Sequence, residues 1–222
     1  MELRKQKIYK TVYEMARDAF IASDYRQQCS RGGLKCTSEG QAVIIEIPYF
    51  DETITVRFPR FSFESSKSAN VTLITKIVLL HYINNASGAP LSGEKVAYGD
   101  IPSCRHYEPV FTKRVLKQLQ NAFGYDKYAF LEAGLALGGK KEEFGDASFT
   151  LFAFPKVPIT YILWEGDEEF PPTAKALFDP SITGYLPLED IVVIAKLAVS
   201  RILKTAHKRH FPETKGDYRE GL

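Results

Sequence analysis

The chain predicts an α+β fold, a small antiparallel sheet of about four strands from two hairpins packed against four to six helices. Two observations predict the sheet. Residues 42–48 and 53–59 are alternating β-rich runs joined by Tyr49-Phe50-Asp51-Glu52, with Val43, Ile45 and Ile47 on one face and Ile54, Val56 and Phe58 on one face. Residues 149–154 and 159–164 are short aromatic and β-branched runs separated by Pro155-Lys156-Val157-Pro158. The third observation is that the segments between and around these runs switch to three- and four-residue apolar spacing.

The elements follow in order. Residues 8–22 place Ile8, Val12, Met15, Ala19 and Ala22 on one stripe of a helix that ends near Ser23-Asp24. A polar linker then runs through Gly32-Gly33 to Gly40 and the first hairpin. Residues 68–84 form a second helix. Val71, Ile74, Ile77, Val78 and His81 line one side of it, and Leu73, Leu79 and Leu80 widen the apolar surface. Residues 87–109 show no clear period, and loops of that length within a compact fold are often functional. Residues 111–123 read as a helix with Val115, Leu119 and Ala122 inward, Lys113, Arg114 and Lys117 outward, and Gly124 as its left-handed cap. Residues 128–137 form another helix, stopped by Gly138-Gly139. The second hairpin empties into Glu165-Gly166-Asp167-Glu168-Glu169, after which Pro171-Pro172 opens a short helix. A last helix begins at about Leu188, with Glu189 and Asp190 in its first turn and Arg201 and Lys204 in its last, matching the helix dipole. Residues 1–206 are expected to form a single domain, with residues 1–60 as a side lobe, and residues 207–222 a polar tail.

Composition narrows the functional classes. Lys and Arg number 29 against 27 Asp and Glu, for a net charge of +2. That balance excludes the concentrated basic footprint of a nucleic-acid binder. No apolar run approaches the roughly 18 residues of a membrane span. The first 25 residues read as a charged amphipathic helix rather than a signal peptide. Three cysteines, odd in number and sparse, suit a reducing cytoplasm.

Four stretches carry a resemblance: LLHYINNASGAPLSGE (79–94), YGDIPSCRHYEPVFTKRV (98–115), FLEAGLALGG (130–139) and ILWEGDEEFPPTAKALFDPSITGYLPLEDI (162–191). Together they resemble the domain of unknown function 3786 family over about residues 73–203. The WEGDEEFPP…LFD…YLP.ED pattern is the most specific part, and the N-terminal third matches more loosely. No reaction is attached to that family. What the resemblance implies is an accessory module in anaerobic metabolism, with an iron–sulfur or corrinoid protein as partner and a tetrapyrrole or corrinoid as the expected cofactor. This chain has no CxxC run, so it carries no iron–sulfur motif of its own.

The leading expectation is therefore a non-catalytic ligand-binding module in the cytoplasm, its ligand anionic. Arg105, Tyr107 and Lys113 form a candidate anion patch, because a guanidinium fork suits carboxylate or phosphate. Trp164, Glu165 and Asp167 mark the ligand-facing acidic turn, where Gly166 permits close approach. His81, on an apolar stripe, reads either as a hydrogen-bonded boundary residue or as an axial metal ligand. The alternative is an enzyme using Glu165, Asp167 and Glu168 for acid–base or metal-assisted chemistry, with Arg105 holding an anionic substrate. A third class is an oligomer whose aromatic surfaces serve assembly. Against these stand plainer readings. The acidic residues form a solvated turn, Arg105 pairs with Glu165 or Asp167, and Cys29, Cys36 and Cys104 are three separate thiols rather than zinc ligands with His106. No catalytic residues can be assigned from the sequence.

Overall fold

The computed structural model describes residues 2–68 and 70–210. Helices α1 (Glu2–Ala22) and α2 (Tyr25–Gly32) precede strands β1 (Lys35–Glu39), β2 (Ala42–Tyr49), β3 (Glu52–Phe58) and β4 (Ser62–Ser65). Helix α3 (Leu73–Asn85) follows, then β5 (Val96–Ala97) and two 3-10 turns, Tyr98–Asp100 and Arg105–Tyr107. Next, α4 (Glu108–Phe111), a π turn (Thr112–Leu116) and α5 (Lys117–Phe123) run as one continuous helix. After α6 (Lys127–Ala136) come β6 (Lys140–Lys141), β7 (Ala147–Phe154), β8 (Val157–Trp164) and β9 (Thr173–Phe178). A 3-10 turn, Pro180–Gly184, leads into α7 (Leu188–His210).

The architecture is α+β, but the two hairpins build two antiparallel sheets rather than one. The first has order β1-β2-β3-β4, the second β5-β9-β8-β7-β6. Each hairpin recruits edge strands that carry little apolar signal. β1 is KCTSE, almost wholly exposed, and therefore reads as polar linker. β9 corrects a second expectation: the segment after Pro171-Pro172 is a strand, not a helix. Its buried residues are Ala174, Ala176 and Phe178, with Lys175 exposed and Leu177 half-buried between them, a two-residue period too small in side-chain size to stand out. It pairs with β8 from Trp164↔Thr173 to Ile159↔Phe178.

β7 and β8 are buried on both faces, and this explains their continuous apolar runs. Phe149 packs on Phe130 of α6 at 4.8 Å, and the Tyr161 hydroxyl donates to the Ala195 carbonyl of α7 at 3.1 Å. The two sheets meet at their hairpin turns. A register shift in β7 between Phe152 and Phe154 leaves the Ala153 carbonyl outside the ladder, where it accepts from Phe50 N–H at 3.2 Å. Tyr49 and Phe154 rings pack alongside at 5.4 Å. One cluster of buried side chains runs from Ala16 to Ile202 across both sheets.

Three helix details differ from the sequence reading. In α1 the buried stripe is Ala16 and Phe20 with Tyr13 beside them, whereas Met15 is 68% exposed and Ile8 54%. Both stripes satisfy the helical period, and the one with larger rings wins because it meets Phe58 of β3, Phe61 of the β3–β4 turn and Phe63 of β4. In α5, Phe123 rather than Ala122 turns inward. Arg201 and Lys204 lie short of the end of α7, which continues to His210. The expected tail from residue 211 onward lies outside the described residues.

Gly134 locks α6 onto the second sheet. A Cβ there would stand 2.4 Å from the Phe149 ring. Gly→Ala normally stabilises a helix interior by about 1 kcal/mol. Here the sign reverses: Gly134→Ala is expected to lower stability by about 1–3 kcal/mol in chemical denaturation, because neither ring nor helix backbone can withdraw.

Candidate ligand-binding cleft

The stripe Ile74, Ile77, Val78 and His81 on α3 faces an apolar cleft of about 710 Å³. The opposite wall is the first turns of α7, with Pro187, Leu188, Val192 and Val193. Ile8, Tyr9 and Val12 of α1 close one side, which is where part of the expected α1 stripe goes. The aperiodic stretch 87–109 supplies the remaining side through its 3-10 turns. Tyr98, Cys104, His106 and Tyr107 line the cleft, joined by Arg114 of the π turn. His106, Tyr107, Arg114 and Glu189 are exposed, so the polar groups sit at the mouth above an apolar interior.

One bond gives the cleft its chemistry. His81 Nδ1 and Asp190 Oδ2 are 2.6 Å apart, with side chains 21% and 11% exposed. A carboxylate only accepts, so Nδ1 carries the proton and Nε2 is the nitrogen left for another partner. Asp190 stands in the first turn of α7, where the positive end of the helix favours its charge. The dyad is thus a histidine oriented by a nearly buried carboxylate at an apolar wall. Around it, Tyr98 stacks on Phe111 at 4.3 Å. Burial raises the Tyr98 phenol and, through the same cause, the Cys104 thiol, which the Tyr98 contact lowers only in part. Cys104 is therefore a protonated thiol at neutral pH rather than an activated nucleophile.

The structure brings His81 and Tyr107 together in this cleft and leaves the other expected residues elsewhere. Arg105 is exposed and makes no ion pair among the described residues. Lys113 lines a neighbouring groove between the π turn and α7, beside Lys196. Trp164, Glu165 and Asp167 lie at the far end of β8. There, Glu165 Oε1 accepts from Lys127 N–H at the start of α6 (2.9 Å), and Oε2 pairs with Lys127 Nζ at 2.9 Å. Asp167 Oδ1 accepts from Glu169 N–H and Phe170 N–H at 2.8 and 2.7 Å. These bonds hold both carboxyls below their ordinary range, the amide of Lys127 first for Glu165 and the amide of Phe170 first for Asp167. Gly166 and Gly124 are approached by protein rather than left open: Cβ atoms there would stand 2.6 and 2.5 Å from Pro172. Gly124 has φ −58° and so caps no left-handed turn. Cys29 lies on α2 and Cys36 on β1, away from Cys104 and His106 in the cleft, and no three His, Cys, Asp or Glu side chains converge as metal ligands among the described residues. The zinc arrangement does not assemble.

Asp190 is the residue that sequence reasoning placed but did not connect. It appears there only as a helix-dipole charge, and the available signal was His81 itself, a polar ring on an apolar stripe that requires a buried acceptor.

Because folding lowers the Glu165 pKa, its contribution to stability is present above the ordinary glutamate range and is lost as pH falls through the lowered value. Glu165→Gln is expected to lower Tm at pH 7, with the difference from the parent chain closing as the pH drops below that range. A pH series of thermal melts checks this.

No curated protein and no solved structure matches the chain. The sequence model of the family described as Domain of unknown function (DUF3786) matches residues 24–201, from α2 through most of α7, and takes in every residue that lines the cleft except Ile8, Tyr9 and Val12 of α1. The chain belongs to the DUF3786 family.

Proposed function

We propose that the protein is a non-catalytic ligand-binding module and that the cleft beside His81 takes a flat, largely apolar ligand with anionic edges, of the tetrapyrrole or corrinoid class. The observation that carries this reading is the His81–Asp190 pair at the wall of an apolar cleft. Histidines that ligate a metal commonly donate their other ring N–H to a carboxylate, which fixes the ring and raises its basicity. Bound there, such a cofactor would supply an open metal coordination position to His81 Nε2. The chain's own residues do the rest. Asp190 orients the ring, the α3 and α7 side chains exclude water, and Arg114 with His106 at the mouth suits peripheral carboxylates. A volume of about 710 Å³ falls in the range of small-molecule sites, about 300–1,000 Å³.

The enzyme reading built on Glu165, Asp167 and Glu168 has less support. Glu165 and Asp167 are ionised and engaged in local bonds, so neither is poised to exchange a proton near neutral pH. A role as accessory partner to an iron–sulfur or corrinoid protein in anaerobic metabolism is the setting that the family resemblance implies. The cytoplasm as its location rests on the three free thiols. No helix among the described residues is long and apolar enough to cross a membrane.

Titration of the purified chain with haemin and, separately, with hydroxocobalamin tests the reading by absorption spectroscopy. A saturable, one-to-one band shift is expected with one of them. His81→Ala should remove the shift, and Asp190→Asn should weaken binding by about 10- to 100-fold, the usual effect of losing an orienting carboxylate. No shift with either compound, or an unchanged shift in His81→Ala, would overturn it.

A further inference from the structure

A second cleft, of about 390 Å³, lies at the other end of α3 and along the later half of α7. Its floor is a charged network. The Arg201 guanidinium bonds Asp51 at 3.2 Å and also Glu52, whose carboxylate accepts from the Ser65 hydroxyl as well. Lys67 pairs with Asp51 at 2.7 Å. Arg201 also lies over the rings of Tyr49 and Phe50, at 4.8 and 5.0 Å. Every charge of this network has its partner inside it.

Two features are left over. The first is Tyr49, only 1% exposed, whose hydroxyl is buried against the cleft without a partner in hydrogen-bond geometry among the described residues. A buried, unpaired hydroxyl costs about 1–3 kcal/mol, so its retention needs a reason. Burial pushes this phenol up to about 12, so it is a proton donor throughout the physiological range. The second is charge. Lys204 and Lys208 stand on the Arg201 face of α7 and have no ion-pair partner among the described residues, giving the lining an excess of two positive charges over Asp51 and Glu52. The N-terminus of α3 opens into the same space through Thr72 and Thr75, and its first turn contains no acidic residue.

We infer that this second cleft binds a multiply charged oxyanion of a small molecule, a phosphate or polycarboxylate, at the start of α3 between Tyr49 and the Lys204–Lys208 face. The Tyr49 hydroxyl donates to the anion and gains the partner it lacks, while the two lysines and the helix terminus balance its charge. This site is separate from the His81 cleft and does not depend on what that cleft holds.

Calorimetric titration of the full chain with inorganic pyrophosphate and, separately, with citrate tests the inference. Binding with a Kd below about 1 mM is expected for at least one of them, weakening as salt is raised. Pyrophosphate alone would identify a phosphate source, citrate alone a carboxylate source. Exchanging both lysines, Lys204→Glu with Lys208→Glu, should abolish binding. Tyr49→Phe should weaken it about fivefold or more while leaving Tm unchanged or raised, since only an unpaired hydroxyl is removed. Absence of binding by both anions at about 10 mM, which corresponds to no useful affinity, would overturn the inference. So would binding that is indifferent to Tyr49→Phe, which signals surface charge alone. A marked fall in Tm for Tyr49→Phe would also overturn it, because the hydroxyl would then already be paired within the protein.

Discussion

The placement of α3 depends on Tyr82. Its side chain is fully buried, its hydroxyl donates to the Gly32 carbonyl at 2.6 Å, and it accepts from Lys156 N–H at 3.3 Å. The ring stacks on Phe154 at 4.3 Å and on Tyr185 at 5.8 Å. One residue thereby joins α2, α3, the β7–β8 turn and the approach to α7. With Tyr82 committed to the core, its neighbour His81, about 100° further round the helix, is carried to a different side. That side is the cleft, where α7 presents Asp190. The rotation of one helix, set by packing, thus decides which polar ring meets which carboxylate.

The same constraint explains why both clefts lie along α3 and α7. Both helices contribute to the core, α3 from Val78 to Ile83 and α7 from Ile191 to Ile202, and the outward ground between and beyond them is left to be filled by other elements. Near the start of α7 the filling side chains are mostly apolar, and the His81–Asp190 pair among them is oriented and nearly buried. Further along α7 the filling is a charged network with excess positive charge. One helix therefore separates two environments suited to different ligand chemistry, an apolar body beside a histidine and a compact anion beside lysines.

Much of this was legible beforehand. The α+β class, the two hairpins, α3 with its broad apolar surface and the helix before Gly138-Gly139 all follow from periods that burial enforces strongly. The strands flanking the two hairpins were not legible, since β1 pairs through its backbone while exposing its side chains, and β9 alternates on alanines. The acidic turn was legible as unusual but not as structural. Glu165 acts on the N-terminus of α6, nearly forty positions earlier in the chain, and no local pattern signals a partner at that distance. His81 and Tyr107 were both singled out, yet their convergence depends on how residues 98–107 fold back, which requires tertiary packing to specify. Asp190 lay unrecognised for the same reason: its bond to His81 spans 109 positions.

The central claim is that the His81–Asp190 cleft is built to hold a metal-bearing macrocycle. The most direct measurement is the absorption spectrum and metal content of the protein isolated without oxygen from an anaerobic host. The account predicts a Soret or corrinoid band with iron or cobalt close to one per chain. A colourless, metal-free protein that also takes up neither compound when they are offered would contradict it.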